Sequence, residues 1–144
     1  MNEELKEYIG KYWIAYLIES ISRKDFFEAI DNRIRSTENP DIWLIELSYL
    51  ESEEDSSVIK NYVEEYLYDN KEDEFKFNIS IQSYKEKIID INDLDKALRM
   101  LFIDEEYGFF KCLDENINKL YFKWQDYPSA VSDKELLNEL SKLV

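Results

Sequence analysis

Asn39-Pro40-Asp41-Ile42-Trp43-Leu44-Ile45-Glu46-Leu47-Ser48 decides the fold class of this 144-residue chain. A side chain able to cap, a proline suited to the first helical position and an acid near the positive end of the dipole together mark a helix start at Asn39-Pro40-Asp41. The residues that follow are apolar on nearly every side. They predict a helix from Pro40 to about Leu50, buried more deeply than any other element, with Trp43 at its centre.

Helical spacing extends from this stretch in both directions. Upstream, Leu5, Tyr8, Ile9, Tyr12, Trp13 and Tyr16 recur every three or four residues, predicting a helix over roughly Glu3 to Ile21. Ser22 with Asp25 forms a capping pattern ahead of a second helix whose face is Phe26, Phe27, Ile30 and Ile34. Downstream, a helix from about Ser56 to Asp69 should turn Ile59, Tyr62, Val63 and Tyr66 inward and Asn61, Glu64, Glu65 and Tyr68 outward. Only Gly10, Gly108, Pro40 and Pro128 could punctuate the chain, which favours helices joined by short turns.

One stretch departs from the helical period. Phe75, Phe77, Ile79 and Ile81 alternate with Lys76, Asn78, Ser80 and Gln82, the pattern of a strand. A lone strand lacks a partner, so an extended linker over 75–81 laid against the helices is the expected form. Beyond it, Ser83 and Glu86 suggest a short helix to Ile89, and Asn92 with Asp95 caps another carrying Leu94, Leu98, Leu101 and Phe102. A long helix is expected from about Asp104 to Trp124, and Ser132-Asp133-Lys134-Glu135 is a capping box for a last one. The expectation is an all-α chain of about eight helices, forming a single domain over residues 1–144.

Charge is distributed unevenly. From Glu38 to Glu74 thirteen Asp and Glu face only Lys60 and Lys71, a net of −11 within a chain of −15. Such a field repels nucleic acid and anionic membranes and attracts a basic protein. Acidic helix faces can also be simply solvated. The residues expected to meet a partner are Glu51, Glu53, Glu54, Asp55, Glu64, Glu65, Tyr68, Asp69, Glu72, Asp73 and Glu74. Tyr68 would serve as the aromatic anchor among them.

Catalytic chemistry finds little to work with. Histidine is absent, which removes the common triads and most zinc sites, and Cys112 is the only cysteine. Two glycines cannot build a phosphate loop. The segment from Asp69 fails as a calcium loop, because Lys71, Glu74 and Ser80 stand where a ligand, a glycine and a glutamate are required. Glu53-Glu54-Asp55 and Asp104-Glu105-Glu106 sit at expected helix starts, where acids stabilise the dipole. The expectation is therefore a binding protein, with no enzymatic role, no cofactor and no specific metal. An acidic N-terminus, no long apolar run and a lone, apolar-flanked cysteine point to the cytoplasm.

The pattern Pro40-x-x-Trp43-Leu44-x-x-Leu47-Ser48, followed by an acidic segment reaching Asp69, resembles small helical immunity proteins of bacteria. These are the antidotes of polymorphic-toxin and contact-dependent inhibition systems. The resemblance implies a protein that binds a toxin domain, such as a basic nuclease, and blocks it. It transfers no individual site residue. A nucleic-acid-mimicking inhibitor or regulator of a DNA-binding protein would share the same charge pattern. A carboxylate-metal enzyme or a small-molecule-binding helical domain remains a reading from a different class.

Charge density alone makes one measurable claim. Mutual repulsion should weaken the fold at low salt, because the Debye length shrinks from about 30 Å at 0.01 M to about 8 Å at 0.15 M. The melting temperature should therefore rise over that range of sodium chloride. A flat or falling curve would mean that the acids are dispersed or individually compensated.

Overall fold

A computed structural model of the chain describes residues 3–68 and 72–103. The described residues form six α-helices and one 3-10 turn, and contain no strand. The order is α1 (Glu3–Leu17), α2 (Arg23–Ser36), α3 (Ile42–Ser48), the 3-10 turn (Tyr49–Ser52), α4 (Ser56–Leu67), α5 (Glu72–Lys85) and α6 (Ile91–Ile103). The helices expected after Asp104 lie outside the described residues, as do Asp69, Asp104-Glu105-Glu106 and Cys112. The chain divides into two compact units, residues 1–72 and 73–144.

In the first unit α2 packs on α1 and α3, and α4 on α1 and α3. The core is aromatic. Trp13 meets Phe26 edge-on at 5.5 Å between ring centres, and Phe26 meets Phe27 the same way at 5.3 Å. Such pairs contribute about 0.5–1.5 kcal/mol beyond the area they bury. Ile9, Ile30, Leu47 and Val63 complete the interior, each at 0% exposure. Tyr8 adds a polar tie, donating its hydroxyl to the Ala29 carbonyl at 2.9 Å and so pinning α1 to α2. Gly10 does not punctuate the chain; it lies buried within α1.

Local rules account for most of the helix ends. Ser22 and Asp25 form the expected reciprocal capping box, with Oγ accepting from the Asp25 N–H and the Asp25 carboxylate accepting from the Ser22 N–H. α3 starts two residues later than its sequence suggests. Asp41 is its cap, accepting from the Trp43 N–H at 2.8 Å, so Pro40 stands outside the helix and Asn39 caps nothing there. α6 is shifted by the same two residues in the opposite direction. Asp90 and Asp93 make the box expected of Asn92 and Asp95, and the helix begins at Ile91.

Two expectations about burial are overturned. α3 is not the most buried element: Leu44 and Leu47 are buried, whereas Ile42 is 73% exposed and Trp43 only half-buried. A seven-residue helix lying on α2 and α4 can bury only the i, i+3 pair that faces them, however apolar its other sides.

The segment 75–81 is neither strand nor extended linker. It lies inside α5, and Ser83, expected to start a new helix, is buried within it. A period of two along the chain is also a set of i, i+4 pairs. Phe77 and Ile81 share one helix side, Phe75 and Ile79 another, and a helix covered on several sides needs that pattern. Phe77, Ile79, Ser80, Ile81 and Ser83 are accordingly all buried. The Ser80 hydroxyl is satisfied by the Lys76 carbonyl at 2.7 Å, one helical turn back.

α1 and α5 end alike. Ser20 N–H reaches the Ala15 carbonyl and Glu19 N–H the Tyr16 carbonyl, which sets Glu19 in the left-handed region at φ 64°. Lys87, at φ 62°, plays the same part after α5. Neither side chain is suited to that conformation. Glu19→Gly should therefore stabilise the protein by roughly 0.5–1 kcal/mol, the left-handed penalty less glycine's extra chain entropy. Ser20→Gly, at a site without positive φ, should not. Equal denaturation midpoints for wild type and Glu19→Gly would show that no strain is held there.

Candidate functional site

The outer side of α3 and α4 carries an aromatic stack. Tyr62 and Tyr66, one turn apart on α4, both lie nearly parallel to the Trp43 indole, at 5.0 Å and 8° and at 3.8 Å and 17°. Trp43 and Tyr62 are half-buried, while Tyr66 retains 5% exposure. Together with Glu46 and Glu65, both exposed, the three rings line an open groove of about 370 Å³.

Polar atoms lock the groove's geometry. The Tyr62 hydroxyl lies 3.0 Å from the Trp43 carbonyl and 3.1 Å from Glu46 Oε2, within reach of both acceptors. Burial, then the Glu46 hydrogen bond and negative charge on Glu46 and Asp41, push the Tyr62 pKa up to about 12. Burial, followed by Asp41 and Glu3, raises that of Tyr66 as well, and its buried hydroxyl has no hydrogen-bond partner among the described residues. The Lys6 ammonium lies 6.0 Å from the centre of the Tyr66 ring. Negative potential and π-faces thus meet at one place.

The expected acidic surface is distributed along α4. Glu51, Glu53, Glu54 and Asp55 lead into its N-terminus, and Glu64 and Glu65 lie near its other end. Asp55 and Glu65 are about 15 Å apart along the axis at 1.5 Å per residue. Glu51, Glu54 and Glu65 are exposed, whereas Glu53 and Glu64 are half-buried. Asp55 is engaged locally: its carboxylate accepts from the Ser57 hydroxyl at 2.7 Å and the Ser57 N–H at 3.0 Å, which lowers its pKa. This carboxylate caps α4. Tyr68 is not an exposed neighbour of Glu65; it ends α4 as the C-cap, half-buried with its hydroxyl oxygen buried. Glu72, Asp73 and Glu74 begin α5.

The approach to α4 is held from the opposite side by Arg23. Its guanidinium donates to the carbonyls of Leu50, at 3.1 Å, Glu51, at 2.8 Å, and Glu53. One fork thereby fixes the backbone that presents the Glu51–Asp55 acids. Among the described residues no cluster of three His, Cys, Asp or Glu is arranged to hold a metal ion, and no helix is long and apolar enough to cross a membrane.

Sequence reasoning missed the groove. It assigned Trp43, Tyr62 and Tyr66 to the core, which holds for Tyr66 alone, because helical spacing marks which residues share a face without saying how far a neighbour covers it. Pairing Trp43 with Glu46 one turn later, beside the i, i+4 pair of tyrosines, was the available signal. Comparisons with protein-family models, characterised proteins and solved structures found no match for the chain.

The tyrosine environment has a consequence at alkaline pH. Tyr62 holds its proton to about 12 in the fold, against 10.0 for a free tyrosine. Its contribution to stability is therefore complete below about pH 10 and is lost as pH rises through about 12. Thermal melts over that window should fall less steeply for Tyr62→Phe than for wild type. Identical slopes would mean that Tyr62 titrates normally.

Proposed function

We propose that this chain is a binding protein of the immunity type, which engages a basic toxin domain through the α3–α4 face and so neutralises it. The observation that carries this reading is the half-exposed Trp43–Tyr62 stack beside exposed Glu46 and Glu65, in a chain of net charge −15. Charge accelerates the encounter with a cationic surface, and partly buried aromatic groups prolong the complex once formed. A nuclease must carry lysine and arginine for phosphate, so an acidic surface can occupy its substrate site as an electrostatic substitute. The exposed Glu51 and Glu54 would extend the same field along α4.

The test is a co-expression and binding experiment with the C-terminal domain of a secreted toxin encoded beside this chain. Wild type should restore growth and bind the purified domain. Glu54→Lys with Glu65→Lys should slow association about tenfold or more and weaken its salt dependence, as expected where steering dominates. Glu7→Lys with Glu28→Lys, on exposed positions of α1 and α2, is the charge-matched control. The reading fails if the toxin domain does not bind, or if control and test pairs slow association equally.

A further inference from the structure

We infer that the groove between Trp43, Tyr62 and Tyr66 is a receptor for one arginine side chain of a basic partner protein, with Glu46 and Glu65 as its counter-charges. This deepens the proposed function and rests on it for the identity of the partner, but the groove's preference is a property of this chain alone.

Three features favour a cation as the occupant. First, two of the groove's rings are not sealed off as Phe26 and Phe27 are in the core. Trp43 and Tyr62, both half-buried, leave part of an aromatic wall within reach of solvent. Second, the groove's two charged lining groups are both carboxylates, Glu46 and Glu65, and both are exposed. The Tyr62 bond occupies one of the roughly four acceptor directions of Glu46, which leaves capacity for a donor from outside. Third, the chain already sets a cation of its own against the stack, the Lys6 ammonium 6.0 Å from the Tyr66 ring centre.

Arginine suits this site better than lysine. A guanidinium is planar, stacks on Trp and Tyr faces and is weakly hydrated, so it loses less on leaving water. Its fork can donate to a carboxylate while its plane lies flat against a ring, whereas an ammonium is a compact, strongly hydrated point charge with no plane to stack. An apolar side chain would leave Glu46 and Glu65 beside it without compensation, and a carboxylate would be repelled by them. The aromatic core around Trp13 offers no such site, since 1% exposure closes that ring to any ligand.

The experiment titrates N-acetyl-arginine methylamide into the isotopically labelled full chain and follows the Trp43 indole N–H by heteronuclear NMR. A saturable shift at Trp43, with none at Trp13, is expected. The lysine analogue should bind about threefold or more weakly, the scale of one exposed cation–π contact. Glu46→Gln and Glu65→Gln should each weaken the arginine response by a similar factor. Glu28→Gln, which removes an equal charge at an exposed position of α2, should leave it unchanged. Trp43→Leu should abolish the response in the tyrosine resonances, with Tyr62→Phe as the milder variant should the former not fold.

The assignment is overturned if Trp43 shows no saturable shift, if lysine binds as well as arginine, or if Glu28→Gln weakens the response as much as Glu65→Gln. A Trp43 shift that appears on concentrating the protein without probe would make a second copy of the chain the occupant and overturn it equally. The probe contains no toxin. Arginine binding without any toxin complex would sink the proposed function alone, and a toxin complex without an arginine response would sink this inference alone.

Discussion

The Trp43 indole lying flat against Tyr62 and Tyr66 holds α3 against α4, and the character of this face of the first unit depends on it. Buried Leu44 and Leu47 turn the apolar side of α3 inward, but two leucines one turn apart do not fix the helix's rotation. The stack does, and the contacts of Tyr62 with the Trp43 carbonyl and Glu46 secure it with directional bonds. Negative charge is drawn in with the rings. The same contacts that dock α3 therefore leave aromatic surface and carboxylates side by side.

A second constraint acts at the corner between these helices. The 3-10 turn has carbonyls that its short length cannot satisfy internally, and the Arg23 guanidinium from the start of α2 collects three carbonyls there and just beyond. Arg23 also lies over the Phe27 ring, 5.8 Å from its centre. Aromatic core and acidic corner are joined through one side chain. A cation that looks like a surface residue in the sequence thus braces the acidic backbone that leads into α4.

Electrostatics and packing pull against one another along this face. The acids from Glu51 to Asp55 repel each other, yet Asp55 answers the unsatisfied amides of α4 and gains from them in return. Burial first, and then the negative groups around them, make Tyr62 and Tyr66 hold their protons more tightly. Local bonding decides which carboxylates are structural and which remain exposed.

Much of the helical order was legible in the residues themselves. α1, α2 and α4 follow i, i+3, i+4 spacing, and α2 and α4 have side-chain caps, because amphipathic helices and such caps depend on neighbours within one turn. Asp41 and Asp90 each lie two residues from the expected Asn39 and Asn92, since several nearby side chains can cap and only backbone geometry selects one. The stretch at 75–81 was misread for a deeper reason. Alternation fits a strand covered on one side and a helix covered on two, and the number of covered sides belongs to the tertiary structure. The same holds for Trp43, Tyr62 and Tyr66. Composition and spacing determined that they are aromatic residues on neighbouring helices of an acidic protein. Whether they would be sealed in a core or left lining a groove was decided only when α3 settled on α4, because burial is set by what packs against a face and not by the face itself.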